Sequence, residues 1–201
     1  SFMRVIPIGE SIASRNQVLA HEDALSMLDT AHTIAVTDCA CRTLFRKCDH
    51  PINVCLQINR GAEYAIKRGT GRRIDAAEAR EILELSRKAG LVHMTENTAG
   101  RSNVICNCCT CCCEMLRFAK DEKVRRAVLS PSRYQAHLDT EACTACGLCE
   151  DICPVKAIKS EGGDTMLLDV EVCIGCGLCG SVCQVGAVTL VEVRPPDFIP
   201  A

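Results

Sequence analysis

Cys143-Thr-Ala-Cys146-Gly-Leu-Cys149-Glu-Asp-Ile-Cys153-Pro154 is followed, 30 residues on, by Cys173-Ile-Gly-Cys176-Gly-Leu-Cys179-Gly-Ser-Val-Cys183. Both stretches spell C-x2-C-x2-C-x3-C, the spacing that holds a pair of [4Fe–4S] cubanes. Cysteines at i, i+3 and i+6 on a tight loop wrap one cluster, and Gly147, Gly175 and Gly177 let backbone N–H groups approach the sulfurs. The fourth cysteine lies about a turn later and points away, so it serves the other cluster. The expected wiring is crossed: Cys143, Cys146, Cys149 and Cys183 hold cluster one, and Cys173, Cys176, Cys179 and Cys153 hold cluster two.

Zinc sites use C-x2-C pairs set a dozen or more residues apart rather than triplets, and a disulfide framework belongs to secreted chains. Gln184 stands where the first copy has Pro154, which predicts a looser turn after Cys183 with no ligand lost.

The other cysteines lie upstream. The β-branched run Thr33–Thr37 predicts a buried strand leading into Cys39-Ala-Cys41-Arg42, then Cys48-Asp49-His50-Pro51 and Cys55. Alternate residues of a strand share a face, so Cys39 and Cys41 are expected to aim at one metal. Cys106-Asn-Cys108-Cys109-Thr-Cys111-Cys112-Cys113 packs six cysteines into eight residues, which apolar packing does not need, and neighbouring cysteines rarely pair as disulfides because the geometry is strained. Cys106 and Cys108 share a face if extended; Cys109, Cys112 and Cys113 share one if a helix starts there and runs through Phe118. Residues 39–55 and 106–113 together supply ten thiols, enough for two cubanes with two spare or for one larger iron–sulfur cluster; zinc is the alternative. His50 is a further candidate ligand, and Arg42 and Asp49 are candidates to tune the site from behind its ligands.

Between these segments, helices are expected over Glu22–Thr30, Ala62–Lys67 and from Asp75, where Asp75-Ala-Ala-Glu78 has the form of a capping box. There Ala79, Ile82, Leu83 and Ser86 face the core and Gly90 ends the helix. Arg4–Ile8, Leu91–Met94, Tyr134–Asp139 and Ala187–Val193 read as strands, Lys159–Asp164 as a hairpin turn, and Pro195-Pro196 as the end of ordered chain. The fold class is therefore α+β: a Cys-rich N-terminal α/β module over 1–118, a basic linker over 119–133 carrying Lys120, Lys123, Arg125, Arg126 and Arg133, and a two-cluster domain over 134–201.

Composition narrows the functions. The 201 residues include 18 Cys but only 4 Phe, 2 Tyr and no Trp. Metal–thiolate bonds are thus expected to supply much of the folding energy, and the Cys-rich parts to be disordered without metal. Residues 138–201 hold ten acids and three bases, a net of −7, against +5 for residues 1–137. The basic part could neutralise its own metal site or dock an acidic partner. No basic block is interleaved with aromatics, which argues against nucleic acid. No apolar run is long enough to span a membrane, and no signal peptide is visible. This many thiolates imply a reducing, low-oxygen cytoplasm. The chain opens Ser1-Phe2-Met3, as expected of a tag remnant or of a piece of a longer protein.

Residues 143–183 resemble the dicluster bacterial-type ferredoxins. The run RVIPI, DCACR, CDHPINVC, AGLVH and ICNCCTCCC resembles a family of 4Fe–4S binding proteins of anaerobes, longer chains with a helical region ahead of this segment. The resemblance implies a ferredoxin-like domain of pseudo-twofold symmetry behind an extra Cys-rich module, and an electron-carrier role with a redox partner protein. The residues offer no general acid or base, no phosphate loop and no nucleophile with a matched base. That favours an electron-transfer protein or electron-input subunit over a hydrolase or transferase. The alternatives are a reductase, hence an oxidoreductase, whose N-terminal cluster is catalytic and fed by the ferredoxin domain, and a redox or metal sensor.

Overall fold

The computed structural model describes residues 1–13, 23–100, 102–118, 121, 124, 127–160, 162 and 165–201. Its main feature is a seven-stranded sheet of order β4-β2-β3-β6-β5-β1-β7. The strands are β1 (Met3–Val5), β2 (Ile34–Thr37), β3 (Cys55–Ile58), β4 (Gly71–Ile74), β5 (Val92–Glu96), β6 (Val104–Cys108) and β7 (Leu129–Ser130). Every pairing is antiparallel except β1 with β7.

Side chains alternate across a strand, and the sheet uses both faces. Ile34 and Val36 of β2, Leu56 and Ile58 of β3 and Ile105 of β6 form one core beneath α1 (Ala24–Asp29) and α4 (Ala76–Lys88). Asp23 caps α1, accepting from Leu25 and Ser26 N–H. The expected start at Glu22 lies outside the described residues. Asp75 caps α4 through Glu78 N–H at 2.8 Å, but Glu78 pairs with Arg72 instead of reaching back, so half of the expected capping box forms. Ala79, Ile82, Leu83 and Ser86 are buried, and Gly90 takes φ +69° after the last turn. On the opposite face α3 (Arg60–Lys67) covers the β2–β3–β4 end, and the C-terminal unit covers the β1–β5–β6 end through Val5, Val92, Met94 and Cys108.

The C-terminal unit is two copies of strand, cysteine loop, short helix and strand. The first comprises β8 (Tyr134–Leu138), α5 (Leu148–Ile152) and β9 (Ile158–Ser160); the second comprises β10 (Met166–Leu168), α6 (Leu178–Val182) and β11 (Val188–Glu192). Outer pairs with outer, β8 with β11, and inner with inner, β9 with β10. Each copy therefore completes the other's hydrogen bonding, as a pseudo-twofold pair does.

Several expectations need correction. The strand ending at Thr37 does not carry Cys39 and Cys41: Cys39 caps α2 (Ala40–Phe45), which holds Cys41. A helical turn here swings Arg42 inward, where its guanidinium donates to the carbonyls of Pro51 and Asn107. No helix runs through 109–118. Two separate turns close instead, from Cys113 N–H to Cys109 O at 3.2 Å and from Arg117 N–H to Cys113 O at 2.9 Å, the second running into a 3-10 turn over Leu116–Phe118. The segment 119–133 is not only a linker, because Leu129–Ser130 adds strand β7 beside β1. Lys120, Lys123, Arg125 and Arg126 lie outside the described residues, as does part of the 159–164 turn. Ordered chain continues past Pro196: Ile199 is buried, and Pro200 O accepts from Ala99 N–H at 2.7 Å. The turn after Cys183 is not loosened by Gln184. Gly186 N–H donates to Cys183 O at 3.2 Å, as Lys156 N–H does to Cys153 O at 3.3 Å, and both residues take positive φ.

Candidate metal centres

All eighteen cysteines are free thiols. In the C-terminal unit each C-x2-C-x2-C loop leads into a five-residue helix behind a left-handed glycine, Gly147 before α5 and Gly177 before α6. The loops aim backbone N–H groups at sulfur. Ala145 N–H donates to Cys143 Sγ at 3.4 Å and Ala157 N–H to Cys153 Sγ at 3.2 Å. The amides of Gly175, Leu178 and Gly180 serve Cys173, Cys176 and Cys179. Two glycines are fixed by close approach. A Cβ on Gly175 would stand 2.0 Å from Tyr134 O, and one on Gly177 3.1 Å from Ile8 N.

Cys153, from the first repeat, lies with Cys173, Cys176 and Cys179 around a small cavity closed by apolar side chains such as Val155, Leu168 and Leu190. Burial pushes the Cys176 thiol well up and the Cys179 thiol to about 12, with neighbouring thiolates adding to the effect. Such thiols keep their protons unless a metal cation replaces them. Cys143, Cys146 and Cys149 form the other group, in which burial and then the charges of Cys143 and Cys146 outweigh two backbone amides and raise Cys149. Cys183 packs in the same core as Cys143 and Cys149. The groups differ in exposure: Cys146 is exposed, whereas Cys153, Cys176 and Cys179 are buried.

The ten upstream thiols divide on the two faces of the sheet. Strand alternation sends Cys106 and Cys108 to the face of the C-terminal unit, while Ile105 and Cys109 go to the face under α4. Asn107 lies buried between them. Its Nδ2 donates to Val54 O at 2.6 Å and its Oδ1 accepts from His93 Nδ1. The turn after β6 divides again at adjacent residues, Cys112 to one core and Cys113 to the other.

On the α4 side Cys48, Cys109, Cys111 and Cys112 gather with all four Sγ within 4.8 Å of one another. Cys48 Sγ stands 3.8 Å from Cys109 Sγ and 3.7 Å from Cys112 Sγ. On the other side Cys55, Cys106, Cys108 and Cys113 form a row. Bonds from Cys108 and Cys55 hold Cys106 well below its ordinary value, and the bond from Cys108, outweighing burial, brings Cys113 to about 7. Cys39 and Cys41 are near enough to act on this row by charge, and Glu114 N–H donates to Cys41. Arg42 is buried at 2% exposure; burial opposes its charge, but the Cys39, Cys109 and Cys108 thiolates outweigh that and hold it above its usual value. It therefore stands between both sets. His50 joins neither close set; burial and then Arg42 push its ring down.

Sequence spacing located all the thiols but not this division, and it did not reveal Asn107 and His93. The signal for Asn107 was its place between two cysteines on a strand, which forces an amide into the core.

No helix of the described residues is long and apolar enough to cross a membrane. No curated protein matches the chain. The family model of the 4Fe-4S binding domain matches twice, over residues 136–159 and 166–189. The C-terminal part of this chain is thus a tandem of 4Fe–4S binding motifs arranged as a dicluster ferredoxin-like domain.

Proposed function

We propose that the protein is an iron–sulfur electron-transfer protein, or the electron-input subunit of a larger assembly, working in a reducing, low-oxygen cytoplasm. One observation carries the reading: Cys153 leaves its own repeat and joins Cys173, Cys176 and Cys179 about one cavity. That grouping fits crossed ligation, with Cys143, Cys146, Cys149 and Cys183 as the second set. The bound [4Fe–4S] clusters would supply one-electron redox chemistry, and the chain's amide-to-sulfur bonds and burial would set their potentials.

Cys39, Cys41, Cys55, Cys106, Cys108 and Cys113 are suited to a further iron–sulfur cluster. Cys108 and Cys113 share an apolar core with Cys153 and Cys176, so redox groups on the two sets would border one common core. On this reading the chain comprises a Cys-rich part over 1–118 and a ferredoxin part over 134–201, and the shared core joins the two. Exposed Cys146 lies in a stretch whose exposed residues include the acids Asp139, Glu141 and Asp151, which suits a redox partner with a basic face.

EPR of the chemically reduced protein, with iron and sulfide analysis, tests this. Two interacting [4Fe–4S] signals are expected, with Cys153→Ser disturbing the cluster of the second repeat and Cys183→Ser that of the first. Uncrossed effects, or protein without iron when prepared in the absence of air, would refute it.

A further inference from the structure

We infer that Cys48, Cys109, Cys111 and Cys112 hold a single tetrahedral metal ion, zinc or ferrous iron, separate from every iron–sulfur cluster of the chain. The inference rests on the reading that the upstream cysteines bind metal, and it divides them four and six. Spacing decides it. Metal–thiolate bonds of about 2.3 Å in a tetrahedron place the sulfurs about 3.8 Å apart. Cys48 Sγ lies 3.8 and 3.7 Å from the sulfurs of Cys109 and Cys112, and all four lie within 4.8 Å of one another. A cubane carries each thiolate outward on a different iron, so its four sulfurs stand farther apart than the edges of a one-ion tetrahedron. The protein contains its own comparison. Among the described residues no other set of three or more Cys, His, Asp or Glu ligand atoms closes up this far, and the eight ferredoxin cysteines do not.

The surroundings agree with a closed structural ion. Cys109 and Cys112 are buried in the core that also holds Val54, Leu56 and Ile105. Four thiolates fill a tetrahedral shell and leave no open position for substrate. Binding would release the four thiol protons and leave two negative charges on the unit, beside the buried guanidinium of Arg42. The ion would staple the loop after α2 to the turn after β6, segments some sixty residues apart. That staple would hold β6 so that Cys106 and Cys108 present their thiols on the opposite face.

The test is zinc, iron and acid-labile sulfide analysis of the full chain purified without air, as wild type and as Cys48→Ser/Cys112→Ser. Cubanes contribute iron and sulfide equally. A single ion therefore appears either as one zinc per chain or as one iron in excess of sulfide, and the two arms tell zinc from iron. The double variant should lose that ion and keep all its sulfide. Zinc-free protein with iron equal to sulfide overturns the inference, as does a double variant that sheds iron and sulfide in equal numbers. If the variant does not fold, the wild type decides. X-ray absorption at the zinc edge, or Mössbauer spectroscopy for iron, should show an ion with four sulfur neighbours and no metal neighbour; a nearby metal overturns the inference. About eight irons and eight sulfides with one zinc would keep this site and remove the proposed cluster from the six-thiol set. Equal iron and sulfide well above eight, with no zinc, would do the reverse.

Discussion

Gly175 shows how one missing side chain supports a metal site. It takes φ +69°, and a Cβ would fall 2.0 Å from Tyr134 O and 2.3 Å from Ser132 Oγ. Ser132 Oγ already donates to Gly175 O at 2.7 Å, so that loop has no room to retreat. Gly175→Ala should cost about 1–3 kcal/mol in backbone strain before any overlap is counted. The expected readout is a lower melting temperature with loss of the cluster proposed for Cys173, Cys176 and Cys179, seen as a fall in iron content; an unchanged iron content would contradict the argument. His93 gives a second prediction. Burial holds its ring below its ordinary pKa, opposed by the Asn107 bond and aided by Arg87. The folded state thus favours the neutral ring. Its contribution to stability is complete above the unfolded value of about 6.5 and is lost as pH falls through that value toward the folded one. Melting temperature measured from pH 8 to 5.5 should fall, and His93→Gln should flatten that fall. The glycine was legible from the cysteine spacing. His93 was not, because only folding reveals that β5 sets it against Asn107.

Among the elements, α4 was legible and the 109–118 segment was not. In α4 the N-cap residue, the apolar face and the terminal glycine all agree, and the structure follows them. Asp75→Ala should cost about 1 kcal/mol, measured by denaturant unfolding, without altering metal content. Residues 109–118 carry a helical spacing of thiols, yet the chain makes only separate turns, from Cys113 N–H to Cys109 O and from Arg117 N–H to Cys113 O, and a 3-10 turn. Neighbouring cysteines there serve opposite faces of the sheet, and a continuous helix would carry Cys109, Cys112 and Cys113 on one face. The tail was misread for a similar reason. Two prolines argue against helix and sheet continuation, but they do not prevent Ile199 from being buried. Pairings distant in sequence, such as β1 with β7 or Ile12 with Leu190, leave no local periodicity to read.

At the scale of the whole molecule, the motif boundaries and the packing boundaries differ. Ile8 N–H donates to Cys176 O at 2.9 Å, and Ala13 N–H to Leu190 O at 2.9 Å, so the start of the chain is tied into the C-terminal repeats. Leu129 is buried in the core shared by both parts. Leu129→Ala should therefore cost about 2–5 kcal/mol and lower the melting of both parts together in one calorimetric transition. Two separate transitions, with only one displaced, would mean that the halves fold independently.

The unequal cover of the two ferredoxin thiol sets has a consequence in air. Cys146 opens to solvent while Cys153, Cys176 and Cys179 do not, so dioxygen meets the first set well before it reaches the second. Bleaching of the visible absorption on aeration should then run in two kinetic phases. The protein caught between them would be half-decayed, its inner cubane surviving after the outer one has gone.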